Sequence, residues 1–89
     1  MARYDVHSLE SAALAGAADQ GEAFFRMGMM CSTGGEKPAD LVSAHKWFNI
    51  ANLKGCGRAA AYRQEIAAEM STSEIAEAQR AAREWLTLH

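Results

Sequence analysis

The chain has 89 residues and a formal net charge of −2, a length that suits one small domain. Alanine, the best helix former, supplies 19 residues, whereas valine and isoleucine together supply five, so the composition argues against a β-sandwich or a β-barrel. Acidic and basic residues are balanced in both halves of the chain, which argues against nucleic acid or an anionic membrane surface as the partner.

The amino-terminal sequence MARYDVHSLE lacks the apolar segment of a secretory signal, and no uncharged run reaches the length of a membrane span. These features predict a cytoplasmic protein. Because thiols are kept reduced in that compartment, we expect Cys31 and Cys56 to be reduced cysteines and not a disulfide.

Hydrophobic periodicity and turn residues predict five helices in chain order. The first covers about 9–18, after Ser8 as a potential N-cap, and the second covers about 21–33. A glycine-rich break over 34–38, which also contains the single proline, ends this pair of helices.

The third predicted helix starts near Asp40, whose carboxylate can cap it, and ends before Gly55, a typical residue for a left-handed helix end. Its apolar side chains follow the i, i+3, i+4, i+7 spacing of one buried stripe. The stripe consists of Ala44, Trp47, Phe48 and Ala51.

The fourth predicted helix covers about 57–70 and follows a turn short enough to make it antiparallel to the third. The fifth begins after Ser71, which stands three residues before Glu74 at the spacing of a capping box. The inner faces of the two helices are predicted to contain Ala59, Tyr62, Ile66 and Met70 in the fourth, and Ile75, Ala78, Ala82, Trp85 and Leu86 in the fifth.

A run of spaced small and aromatic residues resembles a helical-hairpin repeat. A small residue is followed by a Met-Gly pair, a glycine turn, an aspartate, spaced alanines, a tryptophan and a final glycine: Ala23, Met27, Gly28, Asp40, Ala44, Trp47, Ala51 and Gly55. This pattern resembles one unit of the Sel-one-like repeat family, a relative of the tetratricopeptide repeats. The tail over 70–85 also resembles the closing segment of small bacterial members.

The resemblance implies an all-α fold, a right-handed stack of five antiparallel helices. The repeat unit would cover about 20–57, with an amino-terminal capping helix over 8–19 and carboxy-terminal helices over 57–88. Gly28 and Ala44 would let two helix backbones approach closely, and Trp47 would fill the space between the helices of the unit. Because one repeat exposes faces meant for its neighbours, the flanking helices must close its core.

The second predicted helix carries more large apolar side chains than one neighbouring helix can cover. Met27 is expected in the core, and the resemblance places Phe25 there as well, whereas Phe24 and Met29 are expected to face solvent or a partner. In repeats of this kind the first helix of the unit lines the concave face. The predicted partner-binding residues are Glu22, Phe24, Phe25, Arg26, Met29 and Met30.

These features predict a non-catalytic protein–protein interaction module, an adaptor or scaffold that binds a peptide or helix of another protein through an apolar patch on the second predicted helix. The alternative is a structural homo-oligomer, such as a homodimer, in which the same apolar patch is buried between copies of the chain. The two hypotheses differ in whether the patch stays accessible in solution.

Catalysis and metal binding have little support in the sequence. Cys31 and His45 could form a nucleophile–base pair, but no third residue stands at a spacing that would orient them, and we expect a buried thiol and a half-exposed imidazole. The three histidines and two cysteines show no metal-ligand spacing. We therefore expect no enzyme activity, no metal and no cofactor.

Overall fold

The computed structural model describes residues 20–35 and 37–89, and these residues form four α-helices and no strand. The helices are α1 (Gln20–Thr33), α2 (Leu41–Leu53), α3 (Ala59–Ala67) and α4 (Thr72–Leu88). This part of the chain confirms the all-α prediction. The first of the five predicted helices, over 9–18, lies outside the described residues.

Both ends of α2 are formed by the residues that the sequence predicts. The Asp40 carboxylate accepts the backbone N–H of Ser43 at 3.0 Å and its hydroxyl at 2.8 Å, which satisfies amide groups that a helix start leaves open. At the other end Gly55 has a φ of +107°. The Cys56 N–H then reaches back to the Ala51 carbonyl at 2.9 Å, the bond that closes a Schellman motif.

Helix α3 is shorter than the predicted 57–70. It begins only at Ala59, and Arg58 before it provides no side-chain cap. Beyond Ala67 the backbone continues with tighter i to i−3 bonds, from Glu69 N–H to Ile66 and from Met70 N–H to Ala67. The α-helical hydrogen-bond pattern therefore ends before Met70, and the chain turns towards α4.

The capping box predicted for α4 is present. The Ser71 hydroxyl accepts the Glu74 N–H at 3.1 Å, and the Glu74 carboxylate accepts the Ser71 N–H at 2.8 Å. Both bonds are local, because the residues involved are three apart in the chain. Of the predicted inner stripe, Ala78, Ala82 and Trp85 are buried and Ile75 and Leu86 are half-buried.

Helix α2 lies at the centre of the described fold and contacts α1, α3 and α4. Its predicted stripe is buried, and two positions outside that stripe, His45 and Ile50, are buried as well. A helix with neighbours on several sides buries more than one face. The predicted stripe of α2 is therefore buried, but the buried surface of this helix is wider than the stripe.

Two triangles of aromatic rings hold the helices together. In the first, Phe24 of α1 stacks on Trp47 of α2 at a centroid distance of 5.7 Å, and Trp85 of α4 meets both rings edge-on. The second triangle joins α1, α2 and α3 through Phe25, Phe48 and Tyr62, with centroids 5.1 to 5.7 Å apart. Such ring pairs add to the stabilisation from buried area.

Two glycines allow close approach between α1 and the α2 region. A Cβ on Gly28 would lie 2.6 Å from the Phe48 ring, so Gly28 makes room for that ring. A Cβ on Gly21 would lie 2.8 Å from the Cys56 backbone nitrogen, which brings the start of α1 against the end of α2. The sequence pattern did not single out Gly21.

Candidate interaction surface

The structure corrects the expectation for Phe24. Its side chain is 1% exposed, because the ring lies between Trp47 and Trp85 in the first aromatic triangle. The prediction that Phe24 faces solvent is therefore wrong. Phe25 and Met27 are buried as expected.

The accessible side of α1 is a stripe of residues spaced at i, i+4 and i+7: Glu22, Arg26 and Met29. Arg26 is exposed, whereas Glu22 and Met29 are half-buried, and Met29 packs partly against the core. Met30 borders the stripe and is also half-buried. Four of the six predicted partner-binding residues thus lie where another molecule can reach them.

Two guanidinium groups converge on the carboxylate of Glu22. Nη2 of Arg58, which precedes α3, lies 2.7 and 2.6 Å from the two carboxylate oxygens, and Nε of Arg26 lies 3.8 Å from one of them. Two positive charges therefore share one negative charge. Counted over the described residues, this corner of the surface carries one positive charge in excess.

The same corner has an apolar floor. The Arg58 guanidinium carbon lies 4.3 Å from the centroid of the Phe25 ring, a distance at which a cation is attracted to the ring face. Tyr62 of α3 meets Phe25 edge-on at 5.1 Å and keeps 38% of its surface exposed. Arg58 and Tyr62 were not among the predicted binding residues, because nothing in the spacing of α1 indicates which residues of a later helix lie beside it.

We define the α1–α3 face as the residues that surround this corner on both elements. It combines two arginines, one carboxylate, an exposed aromatic edge and a methionine. The members are Glu22, Phe25, Arg26, Met29, Arg58 and Tyr62.

Cys31 and His45 are not arranged as a reactive nucleophile–base pair. Burial raises the pKa of the Cys31 thiol, Asp40 raises it further, and Lys46 partly opposes both. A thiol with a raised pKa holds less of the nucleophilic thiolate. Among the described residues, no hydrogen bond joins Cys31 to His45.

The structure also corrects the expectation for His45, which is 3% exposed and not half-exposed. Its Nδ1 is buried and has no hydrogen-bond partner within 20–35 and 37–89. Burial lowers the pKa of the imidazole, and the positive charge of Arg63 lowers it further, against a smaller opposing effect of the backbone of His45 itself. The ring is therefore neutral at neutral pH.

Within 20–35 and 37–89, no cluster of three or more potential ligands is arranged to hold a metal ion. None of the helices in this part of the chain combines the length and apolar character that crossing a membrane requires. No family model matches the sequence, and no curated protein or solved structure is significantly similar to the chain. The resemblance to Sel-one-like repeats remains a prediction.

Proposed function

We propose that this chain is a non-catalytic protein–protein interaction module of the Sel-one-like repeat type, acting in the cytoplasm. The α1–α3 face binds a peptide or a helix of a partner protein. The observation that carries the proposal is the convergence of Arg26 and Arg58 on the single carboxylate of Glu22, next to the exposed edge of Tyr62.

The chemistry of the face suggests what the partner offers. A carboxylate of the partner can pair with whichever arginine Glu22 does not neutralise, and charged groups set the register of a complex more than its affinity. Met29 and the Tyr62 ring offer apolar contact beside that charge, and methionine adapts its shape to different side chains. We therefore expect a partner segment with an acidic residue next to a large apolar residue.

The repeat resemblance supports this proposal through the roles of its spaced residues. Ala44, Trp47 and Ala51 are buried in α2, Asp40 caps that helix, and Gly55 ends it with a positive φ. In a tetratricopeptide-type unit the first helix lines the binding face, and α1 holds that place in the hairpin. The right-handed stacking of five helices belongs to the same proposal.

Selection from a displayed library of random peptides tests the proposal and requires no candidate partner at the start. Enriched peptides are then synthesised, and their affinities are measured by fluorescence anisotropy. We expect the enriched sequences to place aspartate or glutamate beside leucine, isoleucine or phenylalanine. A modest affinity is expected, because a face of this size is at the small end of protein interfaces.

Matched variants test whether the selected peptides bind at the α1–α3 face. Arg26→Glu and Arg58→Glu are expected to weaken binding by about tenfold or more, since a charged hydrogen bond contributes about 1.5–3 kcal/mol. Arg83→Glu makes the same charge change on the exposed side of α4 and serves as the control. The proposal is wrong if no peptide is enriched, or if Arg83→Glu weakens binding as much as the other two variants.

Two exposed leucines support the second candidate function, a structural homo-oligomer. Leu53 is 62% exposed and Leu88 is 79% exposed, and large apolar side chains in water favour association. Sedimentation velocity over a range of concentrations separates the two hypotheses. A monomer at all concentrations supports the peptide-binding module, whereas a dimer that Leu53→Ser or Leu88→Ser dissociates supports self-association through these leucines.

A further inference from the structure

The most unusual polar group of the described fold is the His45 imidazole. It lies on α2, the helix that contacts the three others, and it is 3% exposed. Its Nδ1 has no hydrogen-bond partner among the residues that the structure describes, although buried polar atoms are satisfied in the great majority of cases. A neutral ring leaves one nitrogen without a bond, whereas a protonated ring would place an unpaired charge in the core.

The surroundings of the ring make that charge more costly. Nη1 of Arg63 in α3 donates to Oδ1 of Asn49 at 2.8 Å. Asn49 follows His45 by four residues on α2, so this bond brings the guanidinium to the side of α2 that carries the imidazole. The positive charge of Arg63 lowers the pKa of the ring. Among the described residues of α1, α2, α3 and α4, no carboxylate forms an ion pair with Arg63 or with the His45 ring. A proton on His45 would therefore repel Arg63 across the contact between α2 and α3.

Helix α3 is held more weakly than its neighbours. It is the shortest of the four helices, with 9 residues, and no side chain caps its start. Only Ala59 and Ile66 of this helix are buried. By contrast, α1 and α2 share the stacked pair of Phe24 and Trp47 and form the most extensive helix contact. Local opening is expected where few apolar contacts oppose it.

We propose that the contact between α2 and α3 is an acid-sensitive joint, in which protonation of the buried His45 beside Arg63 releases α3 while the α1–α2 hairpin stays packed. The released helix takes Tyr62 away from Phe25 and Phe48. The test of this joint requires no partner, because it concerns the fold of the chain alone.

Amide hydrogen exchange followed by NMR tests the joint helix by helix. Protection factors are compared at pH 7.0 and pH 5.0, after correction for intrinsic exchange rates. We expect the amides of α3 to lose protection on acidification, up to a limit of about thirtyfold at pH 5.0, and to be severalfold less protected than those of α1 at that pH. Equal protection of α1 and α3 at pH 5.0, or no loss in α3, would overturn the proposal.

Two variants test whether His45 and Arg63 cause the loss of amide protection in α3. His45→Gln keeps a polar side chain that cannot be protonated, and it is expected to abolish the acid-induced loss of protection in α3. Arg63→Gln removes the repelling charge, and it is expected to reduce the loss. His7→Gln replaces another histidine, is the control and should retain the loss. If that control loses the effect, the responsible group is not His45.

Titration of the imidazole C–H resonances in the unmodified protein does not depend on how the variants fold. The His45 resonance is expected to titrate below the ordinary histidine pKa of 6.5, and the α3 resonances should move with it. A His45 ring that is protonated at pH 6.5 while the α3 resonances stay unchanged contradicts the joint.

Discussion

Phe24 of α1 and Trp47 of α2 stack with an angle of 10° between their rings and 5.7 Å between their centroids. Trp85 of α4 meets the Phe24 ring edge-on at 5.1 Å. Three helices therefore share one aromatic contact. The next residue of α1, Phe25, packs instead on Phe48, one residue further along α2. Neighbouring aromatics on α1 thus belong to the two different aromatic triangles.

Replacing Phe24 with alanine is expected to destabilise the fold by about 3–5 kcal/mol, because it leaves a cavity between two tryptophans. Urea unfolding followed by tryptophan fluorescence measures the change. Leu53→Ala removes an exposed apolar side chain and is the control, with an expected change within about 0.5 kcal/mol. Equal effects of the two substitutions would show that Phe24 is not a core residue.

Gly28→Ala is expected to cost about 1–3 kcal/mol, since the added methyl group meets the Phe48 ring and overpacks the α1–α2 contact. The distance from the new Cβ to that ring would be 2.6 Å before relaxation. Gly57→Ala is the matched control, because a Cβ at Gly57 has no atom within 4 Å. Thermal unfolding compares the two variants, and adding Phe48→Leu to Gly28→Ala should recover part of the loss.

Ser71→Ala is expected to destabilise the protein by about 1 kcal/mol through loss of the α4 cap. The Glu74 N–H would lose the hydroxyl that it now contacts at 3.1 Å. Chemical unfolding detects the change as a lower denaturation midpoint. Thr72→Ala, one residue further along, removes a hydroxyl outside the capping box and should leave the midpoint nearly unchanged.

The raised pKa of Cys31 predicts that its thiol reacts slowly with thiol reagents in the folded protein. In a Cys56→Ser variant, the reaction of Cys31 with a disulfide reagent at pH 8 should be severalfold slower in buffer than in urea. The cause is the burial that raises the thiol pKa above its ordinary value of 9.0, which lowers the thiolate fraction. A folded-state rate equal to the rate in urea contradicts this.

The lowered pKa of His45 predicts that the folded protein becomes less stable in mild acid. Its pKa is lowered in the folded state from an ordinary value of 6.5, so the unfolded chain binds the proton more readily. Stability is then full above pH 6.5 and falls as the pH drops below that value. The folded-to-unfolded ratio can fall by at most about thirtyfold at pH 5 from this group.

Urea titrations between pH 5 and pH 7.5 measure that loss. The His45→Gln variant should show a nearly constant denaturation midpoint over the range. A wild-type midpoint that does not change, or one that is higher at pH 5, would contradict the assignment of a lowered pKa.

The ends of α2 and the start of α4 could be predicted from the sequence, because they depend on residues three to five apart. Asp40 bonds to Ser43, Ser71 to Glu74, and Cys56 to Ala51. Each of these contacts forms within one turn of chain. The same locality explains why the buried stripe of α2 was predicted correctly.

The sequence predicted the part of the candidate surface that lies on α1 and missed the part contributed by residues near and in α3. Spacing along α1 identified Glu22, Arg26 and Met29, but it could not show that Arg58 and Tyr62 lie beside them. Those two residues follow a turn whose direction depends on how α3 packs against α2. Partners that are 36 residues apart, such as Glu22 and Arg58, meet only through that packing.

Local signals were sufficient for the class of fold and for the caps of α2 and α4. The burial of Phe24 and His45 and the early end of α3 followed from the assembled helices, because α2 has neighbours on several sides. A side chain on such a helix is buried by whichever neighbour reaches it, and no pattern within a single helix contains that information. Tertiary packing therefore assigned Phe24 to the core and left Arg26 and Arg58 at the surface.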